Sequence, residues 1–215
     1  MKKFSNYILP IFTSILFIYI FIFIAIIFLL LNKDFYYLHI KYFNLIEKTG
    51  YSLQEIKENY TAMIKYLFPF SNKPFHLPTF AYSEQGKIHF QEVKNIFNAM
   101  FLICIIVAII LTIIFYYHYK KKDSTFLKKS SINCIVTPIL LSTIGYINFD
   151  KTFTIFHKIF FNNDYWLFDP VKDPIINILP QEFFRNCSIL IFISIIIGSM
   201  FLYIIYKIIN IKRLI

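Results

Sequence analysis

Two histidines are the side chains of this sequence best suited to chemistry. His89 lies eight residues before the uncharged run 97–117, and His157 lies ten residues after the uncharged run 132–147. If the segments that carry them are helical, both imidazoles stand at a similar depth at a membrane surface. An imidazole with a pKa of about 6.5 both accepts and donates a proton near neutral pH. The pair is therefore suited to general acid–base catalysis.

Two other interpretations of the pair remain open. Interfacial histidines can simply anchor a helix, as tryptophan and tyrosine do. Two histidines and an aspartate can also ligate a metal, although the chain has no two histidines four residues apart to supply part of such a site. The other histidines are less informative: we interpret His39 and His76 as surface residues of outer loops, and His118 as an interfacial residue beside basic side chains.

The segment that follows His157 is rich in aromatic residues and contains three X-Pro dipeptides that restrict its backbone. Trp166 is followed by Asp169-Pro170, Asp173-Pro174 and Leu179-Pro180. Proline fixes its own φ and restricts the residue before it, so these dipeptides predict a defined backbone path. Phenylalanines recur around His157 at helical spacing: Phe153, Phe156, Phe160 and Phe161.

Sequence signatures of other chemistries are absent. The chain has no G-x-S-x-G, no H-E-x-x-H, no phosphate-binding loop and no Cys/His nucleophile pair outside its apolar runs. No Asp, Glu, Lys or Arg lies within an apolar run, which argues against a transporter or pump.

The composition predicts an all-α integral membrane protein. Of the 215 residues, 58% are hydrophobic, and uncharged runs cover 8–31, 97–117, 132–147 and 187–206. A helix needs about 20 apolar residues to cross the hydrocarbon layer. We predict four transmembrane helices, the first of them a retained anchor because no cleavage site for a signal peptide follows it.

The basic residues predict the orientation. The net charge is +10, and Lys and Arg are about three times denser in 1–7, 118–131 and 207–215 than in 32–96 and 148–186. The first three segments are therefore predicted to be cytoplasmic, including both termini, and the last two extracellular. The same distribution favours a topology signal over nucleic-acid binding.

The two outer segments are each too short for an independent domain, so we expect them to form one small, mainly helical cap. Ser52 and Glu55 predict a capping box at a helix start. An apolar stripe follows at helical spacing: Leu53, Ile56, Tyr60, Met63 and Leu67.

The third run, 132–147, is short and polar, which predicts a place in the bundle interior where polar groups find partners on other helices. The residues concerned are Asn133, Thr137, Pro138, Ser142, Thr143 and Gly145.

Over nearly its whole length the chain resembles the bacterial lipoprotein intramolecular transacylases. The most specific part of the resemblance runs from Phe156-His157 through Trp166 and Asp169-Pro170 to Asp173 and Leu179-Pro180. Further matching segments are Thr49-Gly50, Asn59-Tyr60, Tyr66-Leu67 and 88–94.

The resemblance implies four membrane helices under an extracellular cap, with His89 and His157 as the catalytic residues. It implies transfer of the sn-2 acyl chain of a diacylglyceryl lipoprotein to the amine of its own N-terminal cysteine, giving an N-acylated lyso-form lipoprotein. The nucleophile then belongs to the substrate, so no enzyme serine or cysteine is required. The substrate-binding residues expected on this basis are Tyr60, Phe156, Trp166, Asp169 and Asp173.

No metal and no cofactor is expected. The expected partners are diacylated bacterial lipoproteins and membrane lipid, and the protein is expected to act as a monomer in the bacterial plasma membrane. Two alternatives stay open: a lipid hydrolase or other acyltransferase that uses the same histidines, and a non-catalytic membrane protein whose cap binds a partner.

Overall fold

A computed structural model describes the backbone of residues 2–146 and 148–211, and the side chains of residues 8–139 and 148–211. This described part contains no strand, so the prediction of an all-α fold is confirmed. The α-helices are α1 (Lys2–Leu31), α2 (Lys33–Tyr42), α3 (Leu45–Thr49), α4 (Leu53–Leu67), α5 (Glu84–Lys120), α6 (Thr125–Tyr146), α7 (Phe149–Phe160) and α8 (Gln181–Ile211). A 3-10 helix covers Pro174–Ile178.

Three helices of the described residues are long and apolar enough to cross a membrane: Ile8–Leu31 within α1, and the whole of α5 and α8. Helix α5 begins 13 residues before its uncharged run 97–117, so His89 lies on the polar extension of a membrane helix. Helix α6 is continuous and covers most of the predicted third span, but the side chains of 140–147 lie outside the described residues. A fourth span remains a prediction.

The chain divides into two compact units. The first consists of Met1–Ile26, Leu102–Ile147 and Ser188–Ile215, and the second of Ile27–Phe101 and Asn148–Cys187. The first unit has a core of aliphatic and aromatic side chains from four helices. Its buried members are Leu16, Phe17, Phe21, Val107, Leu111, Phe126, Leu127, Cys134, Ile195 and Leu202.

Small hydroxyl residues join the helices of the first unit. The hydroxyls of Thr13 and Ser130 are hydrogen-bonded to each other, and the Ser199 hydroxyl donates to the Ser131 carbonyl at 2.5 Å. Such side chains let helices approach closely and give buried polar groups a partner.

The predicted interior placement of the third run is only partly correct. Pro138 is buried and Asn133 is half-buried, but Thr137 is exposed, so the prediction is wrong for Thr137. The hydroxyl contacts of Ser130 and Ser131 lie before residue 132, because α6 begins at Thr125. Ser142, Thr143 and Gly145 fall in the stretch whose side chains are not described.

The second unit is joined across its two segments by buried aromatic residues. The Tyr36 ring stacks on Tyr60 with centroids 3.6 Å apart, and the Tyr36 hydroxyl donates to the Ile178 carbonyl at 2.8 Å. That hydrogen bond satisfies a hydroxyl that would otherwise be buried without a partner. The segments 32–96 and 148–186, which the sequence assigns to one cap, thus belong to one compact unit.

Helix α4 follows its sequence signals closely. The Ser52 hydroxyl accepts from the Glu55 backbone N–H at 3.2 Å, and the Glu55 carboxylate accepts from the Ser52 N–H at 2.8 Å, which confirms the capping box. The predicted apolar stripe is buried except at Leu53, which is 44% exposed and was wrongly included. Leu53 is the first residue of the helix, where less of the unit covers the helix surface.

Candidate active site

His89 on α5 and His157 on α7 lie side by side within the second unit. Their ring centroids are 6.0 Å apart, with 33° between the ring planes. Both side chains are buried, with 6% and 9% of their surface exposed. The two histidines, which the sequence places only at a similar depth, are thus neighbours in the structure.

Asp173 fixes the start of the helix that carries His89. Its two carboxylate oxygens accept hydrogen bonds from the Ser83 backbone N–H at 2.7 Å and the Ser83 hydroxyl at 2.8 Å. The Ser83 hydroxyl in turn accepts from the Gly86 N–H at 2.9 Å, as an N-cap does. A Cβ at position 86 would overlap the Asp173 carboxylate, so the close approach requires glycine. Asp173 thus positions α5, one turn before His89.

The tautomer of His157 follows from its hydrogen bond. Its Nδ1 lies 2.7 Å from the Phe153 carbonyl oxygen, one helical turn earlier. A carbonyl oxygen only accepts, so Nδ1 carries the hydrogen and the lone pair of the neutral ring is on Nε2. The start of α7 is held by Asn148, whose side chain accepts from the Lys151 N–H at 2.9 Å. The backbone of α7 therefore presents one basic nitrogen of His157.

Aromatic rings surround the histidine pair. Trp166 stacks on His157 with centroids 4.6 Å apart and 28° between planes. Phe161 contacts both histidines, at 4.6 Å from His89 and 5.6 Å from His157. Phe168 covers another side of His89 at 5.4 Å. These rings limit water access and hold both imidazoles in place.

Burial keeps both imidazoles neutral at pH 7. Loss of hydration, together with the nearby His157, lowers the pKa of His89 from its usual value near 6.5 to about 4. Burial also lowers the pKa of His157, and the hydrogen bond to the Phe153 carbonyl opposes this in part. Two neutral imidazoles have a lone pair that can accept a proton, and a lowered pKa means that each releases that proton more readily than an exposed histidine.

Polar atoms at the site are left without partners. His89 Nδ1, Trp166 Nε1 and Glu92 Oε2 are buried and make no hydrogen bond. Each such atom costs about 1–3 kcal/mol in a folded protein. Such buried unpaired groups need an explanation, and a ligand that completes the hydrogen bonding at this site is one.

The five predicted substrate-binding residues occupy different places. Trp166 and Phe156 both contact His157. The ring centroids of Phe156 and His157 are 5.5 Å apart, and Phe156 is 49% exposed. Asp173 positions α5, as described above. Asp169 holds a turn by accepting from the Val171 N–H at 2.9 Å. Tyr60 packs on Tyr36, in the aromatic cluster that joins the two segments.

The surface interpretation of His39 is wrong, whereas that of His76 is correct. His39 is half-buried on α2, where its Nδ1 donates to the Phe35 carbonyl at 2.6 Å. Its Nε2 accepts from the Asn186 side chain at 3.0 Å, so both ring nitrogens are satisfied and the residue is structural. Its partner Asn186 lies at the other end of the sequence, which no local pattern reveals. His76 is exposed in the loop after α4.

Three residues of the site were not singled out as site residues from the sequence. Phe168 covers His89, and Asn163 donates to Glu92 at 2.7 Å. Glu92 lies within the segment 88–94, which carries part of the family resemblance, but no role was predicted for it from the sequence. Its position three residues after His89 on a helix was the available signal.

Two grooves in the second unit lie away from the histidine pair. They have volumes of about 560 Å³ and about 520 Å³, and neither is lined by His89 or His157. Among the side chains that are described, no group of three His, Cys, Asp or Glu is placed to hold a metal ion. Three lysines contribute to the lining of each groove: Lys57, Lys65 and Lys73 in the first, and Lys73, Lys87 and Lys94 in the second.

The depressed pKa of His89 predicts a loss of stability in mild acid. The unfolded chain binds a proton at His89 below pH 6.5, whereas the folded protein does so only near pH 4. The folded state is therefore destabilised as pH falls from about 6.5 to about 4, by about 2 kcal/mol between pH 7 and pH 5. Thermal unfolding in detergent at several pH values measures this.

Two variants control that pH experiment. His89→Gln should flatten the fall in melting temperature below pH 6.5, whatever its stability at pH 7. His76→Gln replaces an exposed histidine of the same unit and should keep the wild-type slope. Equal slopes for wild type and His89→Gln would contradict the assigned environment of His89.

Comparisons with known proteins agree with this description. A family model described as lipoprotein intramolecular transacylase Lit matches residues 11–184. The solved structure of the membrane integral lipoprotein intramolecular transacylase Lit from Bacillus cereus is 36% identical, with a TM-score of 0.89 and 99% coverage of both chains.

Two variant structures of the same Bacillus cereus protein also match. One carries a histidine-to-arginine mutation and has a TM-score of 0.87, and the other carries a histidine-to-alanine mutation and has a TM-score of 0.86. Both are 36% identical and cover 99% of this chain, and they are covered over 95% and 96% of their own length. A comparison with curated protein sequences found no match.

Proposed function

The chain belongs to the lipoprotein intramolecular transacylase family, and we propose that it moves the sn-2 acyl chain of a diacylglyceryl lipoprotein to the amine of the lipoprotein's N-terminal cysteine. The product is an N-acylated lyso-form lipoprotein. The observation that carries this proposal is the pair of buried, neutral histidines, 6.0 Å apart, with one basic nitrogen defined by its hydrogen bond.

The reaction begins with proton removal by His157. The substrate's α-ammonium, with a pKa of about 7.7–8.0, passes a proton to an imidazole and becomes a nucleophile. Nε2 of His157 has the free lone pair, and the hydrogen bond of Nδ1 to the Phe153 carbonyl opposes the lowering of its pKa by burial. We therefore assign the role of base to His157.

In the remaining steps a carbon–nitrogen bond forms and a carbon–oxygen bond breaks. The amine nitrogen attacks the ester carbonyl carbon, and the bond from that carbon to the sn-2 glyceryl oxygen breaks. The departing oxygen takes one proton and the nitrogen retains one, so an amide and a free hydroxyl replace an ester and an amine. We propose that His89, whose ring centroid is 6.0 Å from that of His157, takes the second proton from the attacking nitrogen and passes it to the glyceryl oxygen, while the first proton stays on His157 and is later released to water. Its low pKa makes its protonated form a strong acid.

Trp166 is placed to stabilise the tetrahedral intermediate. Its Nε1 is a buried donor without a partner, and its ring stacks on His157. A preorganised N–H aimed at a developing oxyanion is a common source of catalytic stabilisation. We propose that this N–H donates to the ester oxygen, which becomes negative when the amine attacks.

The aromatic rings around the histidines favour transfer over hydrolysis. Phe161 and Phe168 cover the two imidazoles and limit the approach of water. The amine and the ester belong to one molecule, and well-oriented intramolecular reactions gain about 7–11 kcal/mol over bimolecular ones. Phe156, which is half exposed beside His157, is suited to contact an acyl chain.

We further propose that the protein is a monomer of the bacterial plasma membrane with four spans and cytoplasmic termini. The higher lysine and arginine density in 1–7, 118–131 and 207–215 supports this orientation. The helix α6, continuous from Thr125 to Tyr146, supports a fourth span. The second unit then faces outward and meets diacylated lipoproteins and membrane lipid.

The proposed orientation predicts opposite labelling of two exposed positions. Lys128→Cys and Asn162→Cys, each in a background without the native cysteines, replace exposed residues. An impermeant thiol reagent added to intact cells should label the cysteine at 162 and leave the one at 128 unlabelled until the cells are opened. Labelling at 128 in intact cells would contradict the orientation.

The reaction itself is tested by counting acyl chains on the lipoprotein. Transfer within one molecule leaves the mass of the N-terminal lipopeptide unchanged while the amine becomes blocked and one ester is lost. A lipase or an enzyme that uses a phospholipid donor changes the mass.

A further inference from the structure

Glu92 is a carboxylate held in place by one oxygen and left open at the other. Its Oε1 accepts a hydrogen bond from the Asn163 side chain at 2.7 Å. Asn163 is itself fixed, because its side-chain oxygen accepts from the Tyr165 N–H at 3.0 Å. The second oxygen, Oε2, is buried and has no hydrogen-bond partner.

A buried oxygen without a hydrogen-bond partner is unusual among the described carboxylates. Glu92 Oε2 is the only carboxylate oxygen among them that is buried with no partner. Asp173, for comparison, accepts from Ser83 with both oxygens, and Glu55 completes a capping box. Burying a charged oxygen without a partner is costly, so a site that retains one is expected to gain a cationic or hydrogen-bonding ligand.

The open oxygen belongs to the neighbourhood of the histidine pair. Glu92 follows His89 by three residues on α5, so both side chains lie on the same face of the helix. Its partner Asn163 lies three residues before Trp166, which stacks on His157. Glu92 is thus one helical turn from His89 along α5, and its partner Asn163 belongs to the segment that packs on His157.

We propose that Glu92 binds the α-ammonium of the lipoprotein's N-terminal cysteine, an assignment that rests on the function proposed above. An ammonium carries three N–H donors and suits an acceptor-only oxygen. One N–H is donated to Glu92 Oε2, and another faces the imidazole that takes the proton. After that transfer the positive charge resides on the imidazole, so the same carboxylate still stabilises it.

A metal ion does not fit this oxygen as well. The described side chains offer no group of three ligands around it, and a cation such as calcium or magnesium requires six or more oxygen ligands. A single open carboxylate oxygen suits the ammonium group of one organic cation.

The test uses a lipopeptide that binds but cannot react. A dialkylglyceryl-cysteine peptide has ether links in place of esters and cannot transfer a chain. Its affinity for the purified protein in detergent is measured at pH 6.5 with the amine free and with the amine acetylated. Wild-type protein should bind the free ammonium form at least about tenfold more tightly, which is the value of one charge-assisted hydrogen bond.

Glu92→Gln should abolish this preference. Its amide oxygen still accepts from Asn163, while the amide nitrogen replaces the open oxygen and presents donors to the ammonium. The matched control is Glu84→Gln, which removes the same charge at the start of the same helix, where the side chain is 74% exposed. Glu84→Gln should keep the wild-type preference.

The outcomes separate this proposal from the proposed function. Wild-type protein without a preference for the free amine would overturn the role of Glu92, and this result requires no variant to fold. Retention of the preference by folded Glu92→Gln would overturn it as well. A wild-type protein that prefers the ammonium but never transfers a chain in the matching diester peptide would leave Glu92 as an amine-binding residue and contradict the transacylase reaction instead.

Discussion

His89→Ala and His157→Ala are each expected to lower the rate of acyl transfer by about 10²–10⁴-fold, the usual cost of losing a general acid or base. The two rings lie 6.0 Å apart and are both neutral at pH 7, so each is placed to carry the proton between amine and glyceryl oxygen. The rate is measured with a diacylglyceryl lipopeptide and purified protein in detergent, from the appearance of the N-acylated form.

Three comparisons make the histidine result specific. Because paired groups act as a unit, the double variant should be little slower than the slower single variant. His76→Ala, at an exposed position of the same unit, should retain the wild-type rate. Each variant must also keep its melting temperature within a few degrees, since a misfolded protein is inactive for another reason. Near wild-type turnover by either His89→Ala or His157→Ala would contradict the assignment of the pair.

The outline of the fold was predictable because local signals determine it. Long uncharged runs predict the membrane-spanning parts of α1, α5 and α8, since nothing but a helix satisfies its own backbone in lipid. The Ser52–Glu55 capping box correctly predicted the residue at which α4 begins. The distances of His89 and His157 from the uncharged runs 97–117 and 132–147 predicted a similar depth, which is consistent with their rings lying 6.0 Å apart.

The functions of individual side chains were less predictable, because distant segments decide them. Asp173 was expected to bind substrate, and the structure shows it capping the helix that carries His89 through Ser83. His39 was expected at the surface, but its partner Asn186 lies 147 residues away. The open oxygen of Glu92 likewise depends on Asn163, 71 residues later. Contacts between residues so far apart in the sequence cannot be predicted from a local sequence pattern.

The second large effect expected is a change in the chemistry of a lipoprotein's N-terminus without a change in its mass. In a bacterium that makes diacyl lipoproteins with free N-termini, the protein should convert the amine into an amide of the same molecule. One ester is lost and one amide is formed, and no acyl chain enters or leaves. This outcome follows from the proposed mechanism, in which the two histidines transfer protons and the substrate supplies the nucleophile.

The most direct measurement is therefore mass spectrometry of the N-terminal lipopeptide from such cells with and without the protein, combined with amine labelling and mild alkaline hydrolysis. The transacylase account predicts an unchanged mass, an amine that no longer reacts, and one fatty acid released per lipopeptide instead of two. The inactive His89→Ala variant, made at the same level, should leave the amine reactive. A mass increased by one acyl chain, a mass decreased by one chain, or an amine that stays free in the presence of folded wild-type protein would each contradict it.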